Sequence, residues 1–397
     1  MTDSLFIQSI GTVSAAGNTL ERLRKTLLGA APSAMADTNA VLPGRTLHYG
    51  LIPDEWLTDT PIAQADDTRT NRIILTALEQ MPQLTERIAR FGADRVAVVL
   101  GTSTSGIEET QRGFEACGTA GPLPAEFPIR RMNLSEPALF AAKTIGAAGP
   151  AYSICNVCAA GSMAIISAAR LLQAGLADAV LTGGIDGYSR FTTLGFSGLG
   201  ALSETECLPF ASERRGINLG EGGSLLLLTR EPSALALAGW SDTSDAHHIS
   251  APDPTGDGAA RAMLGALESA GLAPGDIDLV LAHGTATPHN DAMEALAVHR
   301  VFGDATPVAG LKNLTGHTLA GAGALQAAIA AALLTENPQG RLPVALAKGE
   351  PDETLAPARI LRKAASLGRP LRAVLANAFA FGGSNASFIL MREAAHA

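Results

Sequence analysis

The chain is poor in cysteine: Cys117, Cys155, Cys158 and Cys207 are the only four in 397 residues. That excludes a disulfide-stapled scaffold and fits a reducing compartment, so a cytoplasmic location is expected. Aromatic residues are scarce, at 4%. Positive charge is in deficit: 29 Lys and Arg against 38 Asp and Glu give a formal net charge of −9. Such a balance argues against a general binder of nucleic acid or of anionic membranes, and a basic patch for an acidic protein partner would have to be local. Long apolar runs are missing too. The most apolar stretch, Leu319 to Leu334, is shorter than a membrane span and contains Gln326, so no span is expected. Met1 to Ile7 lack a basic segment followed by a long apolar one, and no signal peptide is expected there.

What is present is a large apolar and glycine-rich complement, 47% hydrophobic residues and 42 glycines. By length this means two or three domains, or one large duplicated unit. Continuous apolar runs suited to strands buried on both faces recur at Arg95 to Leu100, Ala179 to Thr182, Ser224 to Leu228, Leu279 to Ala282 and Arg372 to Asn377. Helical stretches alternate with them: Arg72 to Met81, Met163 to Ala174, Gly258 to Ala270, Asp291 to Val301 and Ala322 to Leu334. The expectation is an α/β fold with largely parallel sheets. A faint duplication adds to it. Val98 to Gly106 (VVLGTSTSG) resembles Val280 to Pro288 (VLAHGTATP), and Cys158 and His317 each lead into a long Ala-rich helix. Two similar halves would set those two residues at matching elbows, and a seam between halves is a common place for a site.

The run Ser153-Ile-Cys-Asn-Val-Cys158-Ala-Ala-Gly-Ser-Met163 puts a thiol between a strand and a helix. A helix N-terminus favours thiolate over thiol, and the thiolate is the nucleophile, so a covalent cysteine enzyme is expected. The alternative readings of Cys155-x-x-Cys158 are weaker. A redox pair needs a thioredoxin-like setting, and a zinc site needs a second pair of ligands at the right spacing. Three further motifs stand out. His283 ends an apolar strand and opens the loop Gly284-Thr285-Ala286-Thr287-Pro288; alone it reads equally as a capping histidine or a functional one. Lys312 and His317 lie five positions apart in an apolar context, and a buried lysine needs a partner, for which Asp291 and Glu294 are candidates. Asn377 to Asn385 join two strands through Phe381-Gly382-Gly383, either a hairpin connection or an oxyanion donor with a phenylalanine gate.

Together these residues resemble the β-ketoacyl–acyl carrier protein synthases of the elongating type, over nearly the whole chain and most firmly from Gly149 onward. The ordered set is Cys158, His283-Gly-Thr-Ala-Thr-Pro, Lys312 with Gly316-His317, and Asn377 to Asn385; Phe210 to Gly223 (FASERRGINLGEGG) also fits. The resemblance implies a thiolase-like fold. Its two similar halves, 1–235 and 236–397, form an α-β-α-β-α layering with mixed, mainly parallel sheets. It implies an acyltransferase performing decarboxylative Claisen condensation. Cys158 would take the acyl chain as a thioester. His283 and His317 would stabilise the enolate left by malonyl decarboxylation. Lys312, paired with Glu294, would set the field around His317. Backbone N–H groups of Cys158 and Phe381 would hold the tetrahedral oxyanion. Phe381 would gate the acyl pocket with Gly382 and Gly383 as hinges, and Thr285 and Thr287 would bind phosphopantetheine. No metal or bound cofactor is implied, since substrates ride on the phosphopantetheine of acyl carrier protein. The expected partners are that carrier and either a second copy or a chain-length-factor-like subunit.

The same residues separate the relatives. Thiolases use a late cysteine as base, and this chain has none after Cys207. Initiating synthases carry Cys, His and Asn, whereas here the third member is His317. Chain-length factors lack the nucleophile, which disfavours the alternative of a subordinate, partner-binding subunit. There are departures: Asn156-Val157 precede Cys158 where Thr-Ala is usual, Gln326 stands where many members carry Glu, and Ala211 where Asp is frequent. Thr68 to Arg72 together with Gly101 to Ile107 look like the synthases of aryl-polyene pathways, which leaves fatty acid, polyketide and aryl-polyene chains as products. Arg69, Arg72, Arg131 and Arg214 are candidates for carrier docking, each with a structural ion pair as its alternative.

Overall fold

The computed structural model describes residues 4–118, 127–343 and 348–393. Its main sheet has eleven strands, and the pairing pattern in it occurs twice. In the first set Leu5–Ser14 pairs antiparallel with Gly222–Thr229, which pairs antiparallel with Ala179–Asp186. Val96–Gly101 and then Ala151–Ile154 follow in parallel. In the second set Leu235–Ser244, Ser384–Arg392 and Ala373–Ala380 are successively antiparallel, and Leu279–Leu281 and Pro307–Ala309 follow in parallel. The two sets meet at a short antiparallel contact, Leu5 opposite Leu237 and Phe6 opposite Ala236.

Three apolar clusters show the layers. The largest fills the space between the two sets around the helices Ala160–Gln173 and Gly321–Leu334. A second packs the helices Arg69–Glu79 and Glu136–Ile145 on the outer face of the first set. A third packs Asp257–Ala270 and Pro288–Phe302 on the outer face of the second. This is the expected α-β-α-β-α order. The strands Val96–Gly101 and Gly222–Thr229 are buried at every residue, which is why they read as unbroken apolar runs. Gly321–Leu334 is likewise buried all round and so shows no polar face.

The two central helices touch through glycine. A Cβ on Gly161 would sit 2.4 Å from the Ala320 carbonyl oxygen, and one on Gly323 would sit 2.1 Å from Ser162 Oγ. Only residues without a side chain let these helices approach so closely, and their N-termini carry Cys158 and follow His317. The helix expected from Arg72 begins earlier, at Arg69, because the Thr68 side chain accepts from the Asn71 N–H and caps it. The helices Ile107–Cys117 and Arg190–Gly198 and the strand Leu235–Ser244 carry no clear periodic signal and are additions to the sequence reading. No helix among the described residues is long and apolar enough to cross a membrane.

Candidate active site

Cys158 lies in the turn Val157–Ala159, between the strand ending at Ile154 and the helix starting at Ala160. Val157 has φ +47, a left-handed conformation that a β-branched residue rarely adopts. The sharp elbow places the sulfur inside the protein, where Cys158 is 4% exposed. His317 follows the short helix Lys312–Thr315. Its backbone is held on both sides, the N–H donating to the Asn218 carbonyl and the carbonyl accepting from the Gly220 N–H. Its Nε2 lies 2.9 Å from Cys158 Sγ. His283 continues the strand Leu279–Leu281, and its ring meets that of His317 edge-on with centroids 5.3 Å apart. The sequence thus names three residues far apart in the chain that the fold brings into one cluster.

Burial sets their protonation. It pushes the Cys158 thiol up to about 12, and the Lys312 charge opposes that only in part. The expectation that a helix N-terminus would leave a resting thiolate is therefore corrected: desolvation outweighs the partial charge of the helix end. Burial, reinforced by the Lys312 charge, also holds both histidines well below the usual imidazole range, so both are neutral and can donate an N–H. The ligand atoms of the three residues lie within 4.8 Å of one another.

The second correction concerns Lys312. Its ammonium donates to the His283 carbonyl and makes no direct pair with Glu294. Both Glu294 oxygens are already used: they accept from the His283 and Gly284 N–H groups, each at 2.7 Å. The two charges still act on each other through space, but burial drives the Glu294 carboxyl up to about 7 and depresses Lys312. Asp291 acts similarly on the next loop. It accepts from the N–H groups of Phe210 and Ala286, both non-glycine residues with φ +63, and so pins two strained turns. Nothing in the sequence says which N–H groups a buried carboxylate serves.

Thr285 and Thr287 lie on the loop after His283, with hydroxyls 3.0 Å apart. They line a cleft with Cys158, His283, His317 and Phe381. The cleft is narrow at the sulfur, about 20 Å³. It widens through a neighbouring space of about 270 Å³ that it joins at Ala201, Thr287, Asn290 and Phe381. Phe381, Gly382 and Gly383 form a turn between the last two strands, and the Phe381 ring packs 6.0 Å from Phe196. Gly382 and Gly383 have φ +82 and +75, the conformations their glycines were expected to supply. The turn is tied to a surface loop: the Gly382 N–H donates to the Ile249 carbonyl, and the Asp245 N–H to the Gly383 carbonyl. Asn385 Nδ2 donates to Asp245 Oδ1 at 2.7 Å. Phe196 and Asp245 lie in stretches without a motif, so sequence reasoning missed them.

Three of the four candidate docking arginines make the structural ion pair that was their alternative, and Arg131 is held by carbonyls. Arg69 is held by Glu221 and Asp54, Arg72 by Asp67, Arg131 by the carbonyls of Gln64 and Ala65, and Arg214 by Asp352. Arg215 and His289 line the wide part of the cleft instead.

Comparison with known proteins follows the same lines. Residues 36–234 match the family model of the beta-ketoacyl synthase N-terminal domain, and residues 235–338 that of the C-terminal domain. The chain is 33% identical over 291 residues to 3-oxoacyl-[acyl-carrier-protein] synthase 2 of Staphylococcus aureus, covering 69% of this chain and 72% of the relative. It is also 33% identical to the Synechocystis protein of the same name, over 75% of each chain. Among solved structures it is similar to the ketosynthase ApeO, determined in complex with its chain length factor ApeC from Xenorhabdus doucetiae. That match has TM-score 0.91, 37% identity and 98% coverage of both chains.

Proposed function

The chain belongs to the beta-ketoacyl synthase family and is an acyltransferase-type condensing enzyme; on that premise we propose a role for each residue of the cleft. Cys158 attacks an acyl thioester carried on the phosphopantetheine of acyl carrier protein, and the carrier thiol leaves with the proton. Because the thiol is neutral at rest, its proton is handed to the leaving carrier thiol as the sulfur attacks, and His317 Nε2 keeps its N–H. Malonyl-carrier thioester then enters the emptied cleft and loses CO₂. The enolate oxygen accepts hydrogen bonds from the neutral rings of His283 and His317, which are aimed before charge appears and need no reorganisation. The carbanion attacks the acyl-Cys158 carbonyl. The N–H groups of Cys158 and Phe381 take the tetrahedral oxyanion, and collapse releases 3-oxoacyl-carrier thioester and the Cys158 thiolate, which takes up a proton from solvent to restore the resting thiol.

Lys312 holds the His283 carbonyl and supplies a positive field to the cluster, and Glu294 orders the start of the threonine loop. Thr285 and Thr287 bind the pantetheine arm. Phe381 gates the acyl pocket on the Gly382–Gly383 hinge. The function needs no bound cofactor or metal and is placed in the cytoplasm, with the seam between halves at 235/236. The likeness to ApeO supports a chain-length-factor-like partner subunit, and the resemblance carried by Thr68 to Arg72 and Gly101 to Ile107 supports an aryl-polyene-type chain.

The single observation that carries this reading is the 2.9 Å contact between Cys158 and His317 beside His283 in a buried cleft. Intact-mass analysis after incubation with acyl-carrier thioesters tests it. One acyl group should appear on the protein and none on the Cys158→Ala variant. Chain extension by Cys158→Ala at the wild-type rate would overturn the assignment and leave the subordinate-subunit reading.

A further inference from the structure

A second cavity lies beside the catalytic cluster and shares none of the residues lining the cleft. All of its own lining residues are buried, Lys312, Thr318 and Gln326 among them. Its hydrogen-bond balance is uneven. Gln326 Nε2 donates to the Ala282 carbonyl at 2.8 Å. A carbonyl can only accept, so the amide orientation is fixed and Oε1 points elsewhere, without a partner. Thr318 Oγ1 is also without a partner. Lys312 carries three protons, and its one hydrogen bond is to the His283 carbonyl. Three residues with spare hydrogen-bonding capacity therefore line one space of about 20 Å³, room for a single water molecule.

We propose that a buried water bridges Lys312 to Gln326 and Thr318 in this cavity, and that the neutral residue at 326 leaves the lysine charge uncancelled there. The consequence is electrostatic. The groups acting on Lys312 are Glu294 and Asp291 from the helix Pro288–Phe302, with Cys158 and Cys207, while His283 and His317 feel its charge in turn. Each of the two carboxylates is tied to two backbone N–H groups and does not reach the ammonium. With a neutral residue at 326, the lysine charge is left to act on Cys158 and the two histidines. It eases formation of the thiolate and keeps the rings unprotonated. A carboxylate at 326 would pair with Lys312 across the cavity and cancel both effects.

The inference rests on Cys158 being the reactive thiol, and its test needs no condensation. The pH dependence of Cys158 alkylation by iodoacetamide is followed by peptide mass in the full-length chain, with thermal melting as the control for folding. Gln326→Glu should move the midpoint up by about one pH unit and slow alkylation about tenfold at a fixed pH below it. Gln326→Met, which loses the Ala282 bond but adds no charge, should lower the melting temperature and keep the wild-type midpoint. Lys312→Gln should raise the midpoint as Gln326→Glu does, which keeps the inference testable should the glutamate variant not fold. Identical midpoints for wild type and Gln326→Glu, or for wild type and Lys312→Gln, would overturn it, as would an equal shift in Gln326→Met. A chain that shows these shifts yet never extends an acyl group would sink the condensing function and leave this inference standing.

Discussion

Val157 bears the strain that aims the nucleophile. A β-branched residue held at φ +47 costs about 1–3 kcal/mol. Glycine takes that conformation freely but loses more backbone entropy on folding, about 0.5–1 kcal/mol. The difference predicts that Val157→Gly stabilises the chain by about 1 kcal/mol in urea melts, against the usual effect of adding glycine, while acylation of Cys158 slows because the elbow is looser. Equal or lower stability would show that Val157 is unstrained. The histidines give a prediction of a different kind. Both are held well below 6.5 by burial and then by the Lys312 charge, so the neutral, donating form persists into acid. The rate of malonyl-carrier decarboxylation should therefore stay flat as pH falls through 6.5 and decline only below it. An acid limb centred at 6.5 would mean that the rings are hydrated and titrate normally. The same depression means the unfolded chain takes up protons on these histidines first. Their contribution to stability is thus present above 6.5 and is lost as pH falls from there.

At the scale of elements, the gate turn is where space and backbone angle can be told apart. Gly382 and Gly383 both have left-handed φ, but a Cβ on Gly382 meets nothing within 4 Å, whereas one on Gly383 would sit 2.8 Å from the Asp245 Cβ. Gly382→Ala should cost only the backbone term, about 1–2 kcal/mol. Gly383→Ala adds a clash and should displace the turn. Acyl transfer to Cys158 should then fall about tenfold or more in single-turnover mass measurements, with the decarboxylation rate much less affected because His283 and His317 are held elsewhere. Equal losses in the two alanine variants would show that packing on Asp245 is unimportant. The nucleophile, both histidines and Lys312 were legible in the sequence because each is a rare residue type at the end of an apolar strand or beside a small-residue helix, and the paired glycines because they interrupt the junction of two apolar strands. Asp245 was not, since an exposed polar loop has no period and its Asn385 partner lies 140 positions away. Glu294 was found as a residue but given the wrong contact. Sequence shows that a buried carboxylate and a buried ammonium coexist, but the loop backbone decides which donors the carboxylate meets first. The arginines stayed open in the sequence for the related reason that every guanidinium looks alike until its neighbours are placed.

For the molecule as a whole, the unbalanced feature is one end of the sheet. Ala151–Ile154 is the last strand in the order, it is only half buried, and its outer backbone edge has no partner strand among the described residues. Beside it the helix Glu136–Ile145 and the segments on either side expose Ile129, Met132, Leu139 and Val157 at 39–51%. An open edge flanked by apolar side chains invites pairing with another chain, and charged residues that usually blunt such an edge are missing from Ala151-Tyr-Ser-Ile154. The opposite end of the sheet is closed differently, by the extra two-residue strand Arg359–Ile360. The elbow that carries Cys158 starts at the open edge, so a partner seated there would also brace Val157 and, through it, the nucleophile. This predicts that the active species is a dimer whose two sheets continue through Ala151–Ile154, formed with a chain of the same fold. A stable interface of that kind buries on the order of 1,000 Å² or more and excludes a charge at its centre. Ile129→Glu combined with Leu139→Glu should convert the dimer to monomer in light scattering, leave the far-ultraviolet circular dichroism unchanged, and lower the rate of Cys158 acylation. A wild-type chain that is monomeric at micromolar concentration, alone and beside a chain-length-factor-like subunit, and still acylates at full rate would sink the idea.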